Sequence, residues 1–221
     1  AVSNVSNVST SIANSQGSNS EIKLNNTLTY NDLNSFMRPS KGFYSRFTNI
    51  VSPVTNSDNG YVKNIILVRK YYEANKSIFS IQSYIGNVFS LQNKNIENDN
   101  KFALGGKWLR GFDSLGAGPR NSSTTYIGGN NLFVTKFDLS RPLLSRHSDN
   151  PIDLNLFTDV GTIFGNNENP TYSKESIRAS YGVGVKFYTP IGPIGLSWSF
   201  PIQSETYDIK RSFLFSIGDL S

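Results

Sequence analysis

From Ile22 onward the chain divides into stretches of roughly ten residues in which apolar and polar side chains take turns, with polar or Gly/Pro-containing links between them. A period of two is the pleat of a β-strand, whose successive side chains leave on opposite faces. Strands are predicted near 22–30, 42–52, 61–72, 76–90, 126–141, 152–165, 175–189, 193–203 and 211–219. In the seventh, Ile177, Ala179, Tyr181, Val183, Val185 and Phe187 alternate with Ser176, Arg178, Ser180, Gly182, Gly184 and Lys186. In the sixth, Ile152, Leu154, Leu156, Val160 and Phe164 share one face, leaving Asp153, Asn155, Asp159 and Gly161 on the other. In the eighth, Ile194, Leu196, Trp198, Phe200 and Ile202 oppose Gly195, Ser197 and Ser199. Both a membrane barrel and a water-soluble sandwich alternate in this way, so the pattern leaves the two open.

The remaining features narrow the choice. The chain is rich in Tyr and Phe, and only 17% of it is charged, a mixture that reads as all-β. The longest clean aliphatic run, Ile65 to Val68, is far short of the roughly 20 residues of a spanning helix. A bilayer would therefore be crossed by strands. The absence of cysteine excludes disulfide scaffolds, Cys-based zinc sites and thiol nucleophiles. A net charge of +5, spread without a Lys/Arg-rich block, gives no grip for nucleic acid.

Residues 1–20 are polar and read as a loop or disordered lead-in to a region spanning 21–221. They have no signal-peptide pattern, and nine strands is an odd number where bacterial single-chain barrels have an even one. Both observations point to a chain that begins within a larger barrel. Thr189–Pro193 is a tight link, whereas Gly165–Lys174 and Gln203–Lys210 are longer and polar, which suits short turns on one side of a membrane and long loops on the other.

The longest connection, about 91–125, is too long to be a passive link. It contains Leu104-Gly105-Gly106-Lys107-Trp108-Leu109-Arg110-Gly111-Phe112 and Gly116-Ala117-Gly118-Pro119-Arg120, and the next strand opens on Gly128-Gly129-Asn130. Further on stand Phe157-Thr158-Asp159-Val160-Gly161 and Pro190-Ile191-Gly192-Pro193. In four landmarks, the Leu109–Phe112 tetrapeptide, the Gly128-Gly129-Asn130 opening, the Phe157–Gly161 segment and the Pro190–Pro193 hairpin, and in their order and spacing, most of residues 21–220 resembles the barrel domain of the outer-membrane assembly factor BamA family.

The resemblance implies the carboxy-terminal portion of an antiparallel transmembrane β-barrel, about nine strands of an expected sixteen. It implies that Leu109, Arg110, Gly111 and Phe112 form the tip of a loop folded back into the lumen, with Arg110 paired to Asp138 and Asp159 on the inner wall. It also implies that the last strand, 211–219 with Phe213, Phe215, Ile217 and Gly218, forms one side of a lateral gate. The implied function is folding and insertion of client β-barrel proteins in the bacterial outer membrane, with outer-membrane lipids, accessory lipoproteins and upstream periplasmic modules as partners, no nucleic acid, no cofactor or metal, and no catalytic residue. Relatives that secrete a partner protein or assemble autotransporters, organelle outer-membrane homologues (mitochondrial or plastid) and passive porins remain alternatives. The chain departs from the family in its ending, where Asp219 and Ser221 follow Phe213, Phe215 and Ile217, and at Tyr30-Asn31-Asp32-Leu33-Asn34, to which no role is carried.

Beside the resemblance stands a physical case. A guanidinium is a planar fork that grips carboxylates at two points, and a following glycine lets the backbone turn tightly. The bland reading of Arg110 is a solvated loop arginine, and that of Asp138 and Asp159 is a pair of hydrated lumen acids. His147 and Asp149 lack the defined nucleophile turn and oxyanion site of a hydrolase. Gly182-Val183-Gly184 lacks the rest of a dinucleotide fingerprint and reads as a narrow inner face. Tyr181, Phe187, Trp198 and Phe200 read as lipid-facing or girdle aromatics.

Overall fold

The computed structural model describes residues 22–54, 60–121, 125–143, 151–166, 175–189 and 192–218. Nine antiparallel strands follow one another in a single sheet: β1 (Leu24–Asn31), β2 (Gly42–Ser52), β3 (Tyr61–Ala74), β4 (Ser77–Ser90), β6 (Asn131–Pro142), β7 (Ile152–Phe164), β8 (Arg178–Thr189), β9 (Gly192–Gln203) and β11 (Phe213–Ile217). Two short strands, β5 (Gly111–Phe112) and β10 (Lys210–Arg211), pair with each other apart from that sheet. Each strand of the large sheet pairs with its neighbours in sequence, as in an up-and-down barrel wall. Among the described residues the sheet is not closed, and β1 and β11 are its edges.

Local chemistry sets the turns. Asn75 and Lys76 both have positive φ, 49° and 63°, between the paired ends Ala74 and Ser77, the left-handed pair that a tight two-residue hairpin requires. Pro201 has no amide hydrogen for the ladder, and the β8–β9 register shifts beside it, between Ala179 and Ser180. The inner face of β8 is thereby re-aimed where the long connection lands.

Burial runs opposite to that of a water-soluble sandwich. The greasy faces are exposed: Phe79, Phe137, Leu156, Tyr181, Trp198 and Phe200 are each more than two-fifths open. The polar faces are covered, with Asp153, Asp159, Arg178, Ser180 and Ser199 fully inaccessible. What covers the inner face is the 91–130 connection. Its Ile96, Phe102, Leu104, Leu109, Phe112 and Ala117 join Tyr61, Val88, Leu132, Val134 and Ile163 of the strands in one apolar cluster. The inner wall thus meets the connection with an apolar patch from β3, β4, β6 and β7 and with charged or small side chains beside it.

Several boundaries differ from the sequence reading. The strand expected at 126–141 begins at Asn131, because Gly129 is used to bridge Phe102 of the connection, with N–O distances of 2.9 and 3.3 Å. The strand expected at 175–189 begins at Arg178, the Ser176 carbonyl being taken by the Thr162 hydroxyl and Arg178 Nη1. The last strand is Phe213–Ile217 rather than 211–219, since Arg211 pairs with Gly111 in β10–β5. The lead-in 1–20, His147, Asp149, Pro190, Ile191, Asp219 and Ser221 lie outside the described residues.

Candidate functional site: the anchored loop tip

Strand register assembles the inner-wall half of the site. Across the sheet, Asp138 stands opposite Phe157, Phe157 opposite Gly182 and Gly182 opposite Ser199. One row along, Lys136 stands opposite Asp159, Asp159 opposite Ser180 and Ser180 opposite Pro201. Phe157 and Asp159 are two residues apart and so share the inner face. The two rows leave a slot whose floor is an aromatic ring, whose rims carry carboxylates, and whose far wall is glycine and serine.

The loop tip fills this slot. Arg110 Nε donates to Asp159 Oδ2 at 2.7 Å and Nη2 to Asp159 Oδ1 at 2.5 Å, and the Arg110 backbone N–H adds a third bond to Oδ2 at 3.1 Å. Nη1 and Nη2 each reach an oxygen of Asp138 at 3.1 Å. The guanidinium carbon lies 3.5 Å from the centre of the Phe157 ring, so the plane that forks two acids also stacks on an aromatic face. Burial works against the charge on Arg110, but Asp138 and Asp159 outweigh it and raise its pKa above the ordinary guanidinium value. Asn155 Nδ2 donates to Asp138 Oδ1 at 2.7 Å, and Lys186 Nζ stands 3.8 Å from the same oxygen.

The neighbours of Arg110 are equally constrained. Leu109 and Phe112 are buried in the apolar cluster. Gly111 has φ +96°, and a Cβ there would stand 3.0 Å from Ser180 Cβ. Backbone conformation and space both call for glycine. The Ser180 hydroxyl donates to the Arg110 carbonyl, and the Lys136 ammonium donates to the Lys107 carbonyl. Gly182 makes room for the stack, since a Cβ there would lie 2.4 Å from Phe157 Cζ.

All four predicted tip residues and both predicted acids therefore meet in one place. The predicted gate residues are elsewhere: Phe213, Phe215 and Ile217 point outward from the sheet edge, 44–59% exposed, and Gly218 closes the strand with its N–H on the Pro193 carbonyl at 2.9 Å. Sequence reasoning passed over the roles of Phe157, Lys136 and Ser180, although register follows from alternation once the hairpins are set. It also passed over two further inner ion pairs. Arg38, on the 32–41 link between β1 and β2, forks the fully buried Asp153 of β7, with Nε 3.1 Å from Oδ2. Arg178 of β8 holds Asp208, with Nε 3.1 Å from Oδ2.

Comparison with known proteins accords with this geometry. The family model described as the Omp85 superfamily domain matches residues 2–219. A SAM50-like protein of Schizosaccharomyces pombe is 28% identical over 202 residues, covering 86% of this chain and 42% of that protein. The outer membrane protein assembly factor BamA of Neorickettsia risticii is 25% identical over 200 residues, covering 86% of this chain and 26% of that protein. The crystal structure of BamA from Haemophilus ducreyi lacking POTRA domains 1–3 superposes with a TM-score of 0.75 at 22% identity, over 87% of this chain and 41% of that one. The chain thus spans less than half the length of each, and its fold is the carboxy-terminal portion of an antiparallel outer-membrane β-barrel.

Proposed function

The chain belongs to the Omp85 superfamily, and from that premise we propose that it is the gate-bearing part of an outer-membrane insertase, a barrel that folds other β-barrel proteins into the membrane around it. The observation that carries the reading is how short the hold on the terminal strand is: among the described residues the β11–β9 ladder runs over Phe213–Ile217, five residues, where every other pairing in the large sheet runs over eight or more. A strand held over so few residues parts before its neighbours and bares its edge. An unpaired edge is a template to which a further strand adds through backbone hydrogen bonds. In a bilayer such a template is a stable landing place for an incoming strand, because lipid cannot satisfy the strand's N–H and C=O groups.

In this reading the work is exchange of strand pairings driven by lipid burial. No bond of the client is made or broken, so neither a cofactor, a metal nor a catalytic residue is needed. Arg110 keeps the loop tip seated against β7 and β8 while the β11 edge opens. Clients, accessory lipoproteins and periplasmic modules belong to the proposal through the likeness to an outer membrane protein assembly factor. The 28% identity to the SAM50-like protein favours one second reading, the same activity in an organelle outer membrane. Fractionation of the source cells separates the two.

The test is reconstitution of the full-length protein in liposomes with an unfolded client barrel, read by the client's heat-modifiable band. Folding several-fold faster than in empty liposomes is expected. A client rate equal to that of empty liposomes overturns the proposal.

A further inference from the structure

The segment 204–212, which joins β9 to β11, is held from three sides within a few residues. Arg178, on the inner face of β8, donates from Nε to Asp208 Oδ2 at 3.1 Å and from Nη2 to Asp208 Oδ1 at 3.4 Å, and both side chains are fully inaccessible. Arg178 Nη2 also reaches the Tyr207 hydroxyl at 3.1 Å, and Nη1 reaches the Ser176 carbonyl at 2.7 Å. Asp208 in turn shapes its own turn: its Oδ2 accepts the Glu205 N–H at 2.8 Å, and its N–H donates to the Glu205 carbonyl at 3.1 Å.

The next residue belongs to the long loop as much as to its own segment. The Ile209 carbonyl accepts the Asp113 N–H at 2.9 Å, and the Ile209 N–H donates to the Gly116 carbonyl at 2.9 Å. Lys210 and Arg211 then pair with Phe112 and Gly111, and Arg211 Nη1 stands 3.2 Å from Asp113 Oδ1. Immediately afterwards the Ser212 carbonyl accepts the Ser199 N–H at 2.7 Å, and β11 begins with Phe213 opposite Trp198. Between Asp208 and Phe213 the backbone therefore passes from a buried ion pair, through a two-stranded pairing with the residues that follow Arg110, into the terminal strand.

We propose that Arg178 is a positioning residue for the terminal strand: through Asp208 it fixes the short segment that the loop tip and β11 share, so that release of the tip from Asp138 and Asp159 loosens the pairing of β11. The physical basis is leverage over a short chain. Ser212 is the single residue between β10 and β11, which leaves the backbone little freedom to absorb a shift. A backbone carrying such bonds on both sides moves as a unit or breaks its ladder. Among the described residues the β11–β9 pairing is the shortest in the large sheet, so it is where the break falls. The functional consequence rests on the strand-addition reading above, whereas the mechanical coupling does not.

The experiment is hydrogen exchange on the full-length protein in lipid nanodiscs, comparing wild type with Arg178→Gln and with the near-isosteric Asp208→Asn. Exchange of the Phe213–Ile217 amides is expected to rise at least tenfold in both, while the β6–β7 amides keep their protection. A disulfide between cysteines placed at 113 and 209, which face each other one step beyond the Phe112–Lys210 pair, in the Arg178→Gln protein, whose 221 residues include no cysteine of their own, is expected to restore most of it. Unchanged β11 exchange, or an equal rise across every strand, overturns the proposal. Arg110→Ala supplies the converse arm with Arg178 intact: its β11 amides must also speed up, and if they do not, the coupling is absent however the other variants fold. Client folding is followed in parallel. Coupled β11 exchange with undiminished client folding tells against the insertion reading alone, and lost client folding with wild-type β11 exchange tells against the coupling alone.

Discussion

Arg110 and Asp159 lie 49 residues apart and meet through three hydrogen bonds, one from the backbone and two from the guanidinium, on the inner wall beside the Phe157 ring. The backbone bond fixes where the chain of the tip runs, and the side-chain fork fixes which way it faces. Removing one partner of such a buried pair strands the other, at about 3–5 kcal/mol in a dry interior and less in a hydrated lumen. Arg110→Ala is therefore expected to unseat the tip. Lys107, three residues away and exposed, then becomes a trypsin site, with cleavage rising on the order of tenfold as local opening grows. Arg110→Lys should behave nearly as badly, because an ammonium cannot fork two carboxylates and stack on a ring together. Wild-type cleavage kinetics in either variant would falsify the anchoring role.

Gly182 tests the stack separately from the ion pair. A Cβ at this position meets Phe157 Cζ at 2.4 Å and the Trp198 carbonyl at 2.2 Å, so Gly182→Ala must displace either the ring or the β8–β9 ladder. Overpacking of this kind costs about 1–3 kcal/mol. The expected result is a lowered midpoint for heat-dependent loss of the compact gel band, with trypsin cleavage after Lys107 raised although both acids are intact. A variant as stable and as protected as wild type means that Phe157 is a bystander.

Much of this was legible in the sequence, for reasons that differ by residue. Alternation placed Asp153, Asn155 and Asp159 on one face and Leu154 and Leu156 on the other, because a pleat has only two faces and any apolar run must choose one. The loop tip was legible through its local pattern, Leu109-Arg110-Gly111-Phe112. The ends of strands were not, since Gly129 and Arg211 leave the main ladder for partners in the long connection, a long-range choice with no local signal. The Arg178–Asp208 and Arg38–Asp153 pairs were missed for the same reason: each acid and each base looks ordinary until the fold brings it to the other.

The Arg38–Asp153 pair gives a prediction about the opposite end of the wall. The 32–41 link replaces a tight turn with a structured segment, in which the Asn34 side chain caps the Ser40 and Lys41 N–H groups at 3.0 Å, and Arg38 crosses to β7. Asp153 is fully buried, so Arg38→Gln leaves a carboxylate without its main counter-charge. The cost is about 3–5 kcal/mol at most, reduced by whatever water reaches the site. Urea unfolding of the barrel in detergent should shift to a lower midpoint, and Asp153→Asn in the same protein should recover part of the loss, since the stranded charge is then gone. Equal loss in the single and double variants argues that the link itself, not the charge, was stabilising.

Which face meets lipid decides the whole reading, and one strand can decide it. On β7, Leu156 is half exposed on the greasy face while Asn155, next to it, is buried on the inner one. In water, an exposed leucine replaced by arginine is close to neutral. On the lipid face of a barrel the same change costs about 2–4 kcal/mol near the bilayer midplane, falling toward the interfaces. Leu156→Arg is therefore expected to slow insertion into liposomes and lower the urea midpoint there. In detergent, where the arginine finds water readily, the loss should be smaller. Leu156→Phe, which keeps the surface apolar, should match wild type in both settings. An arginine variant that inserts and unfolds like wild type in lipid places this face in water and removes the barrel wall from the interpretation.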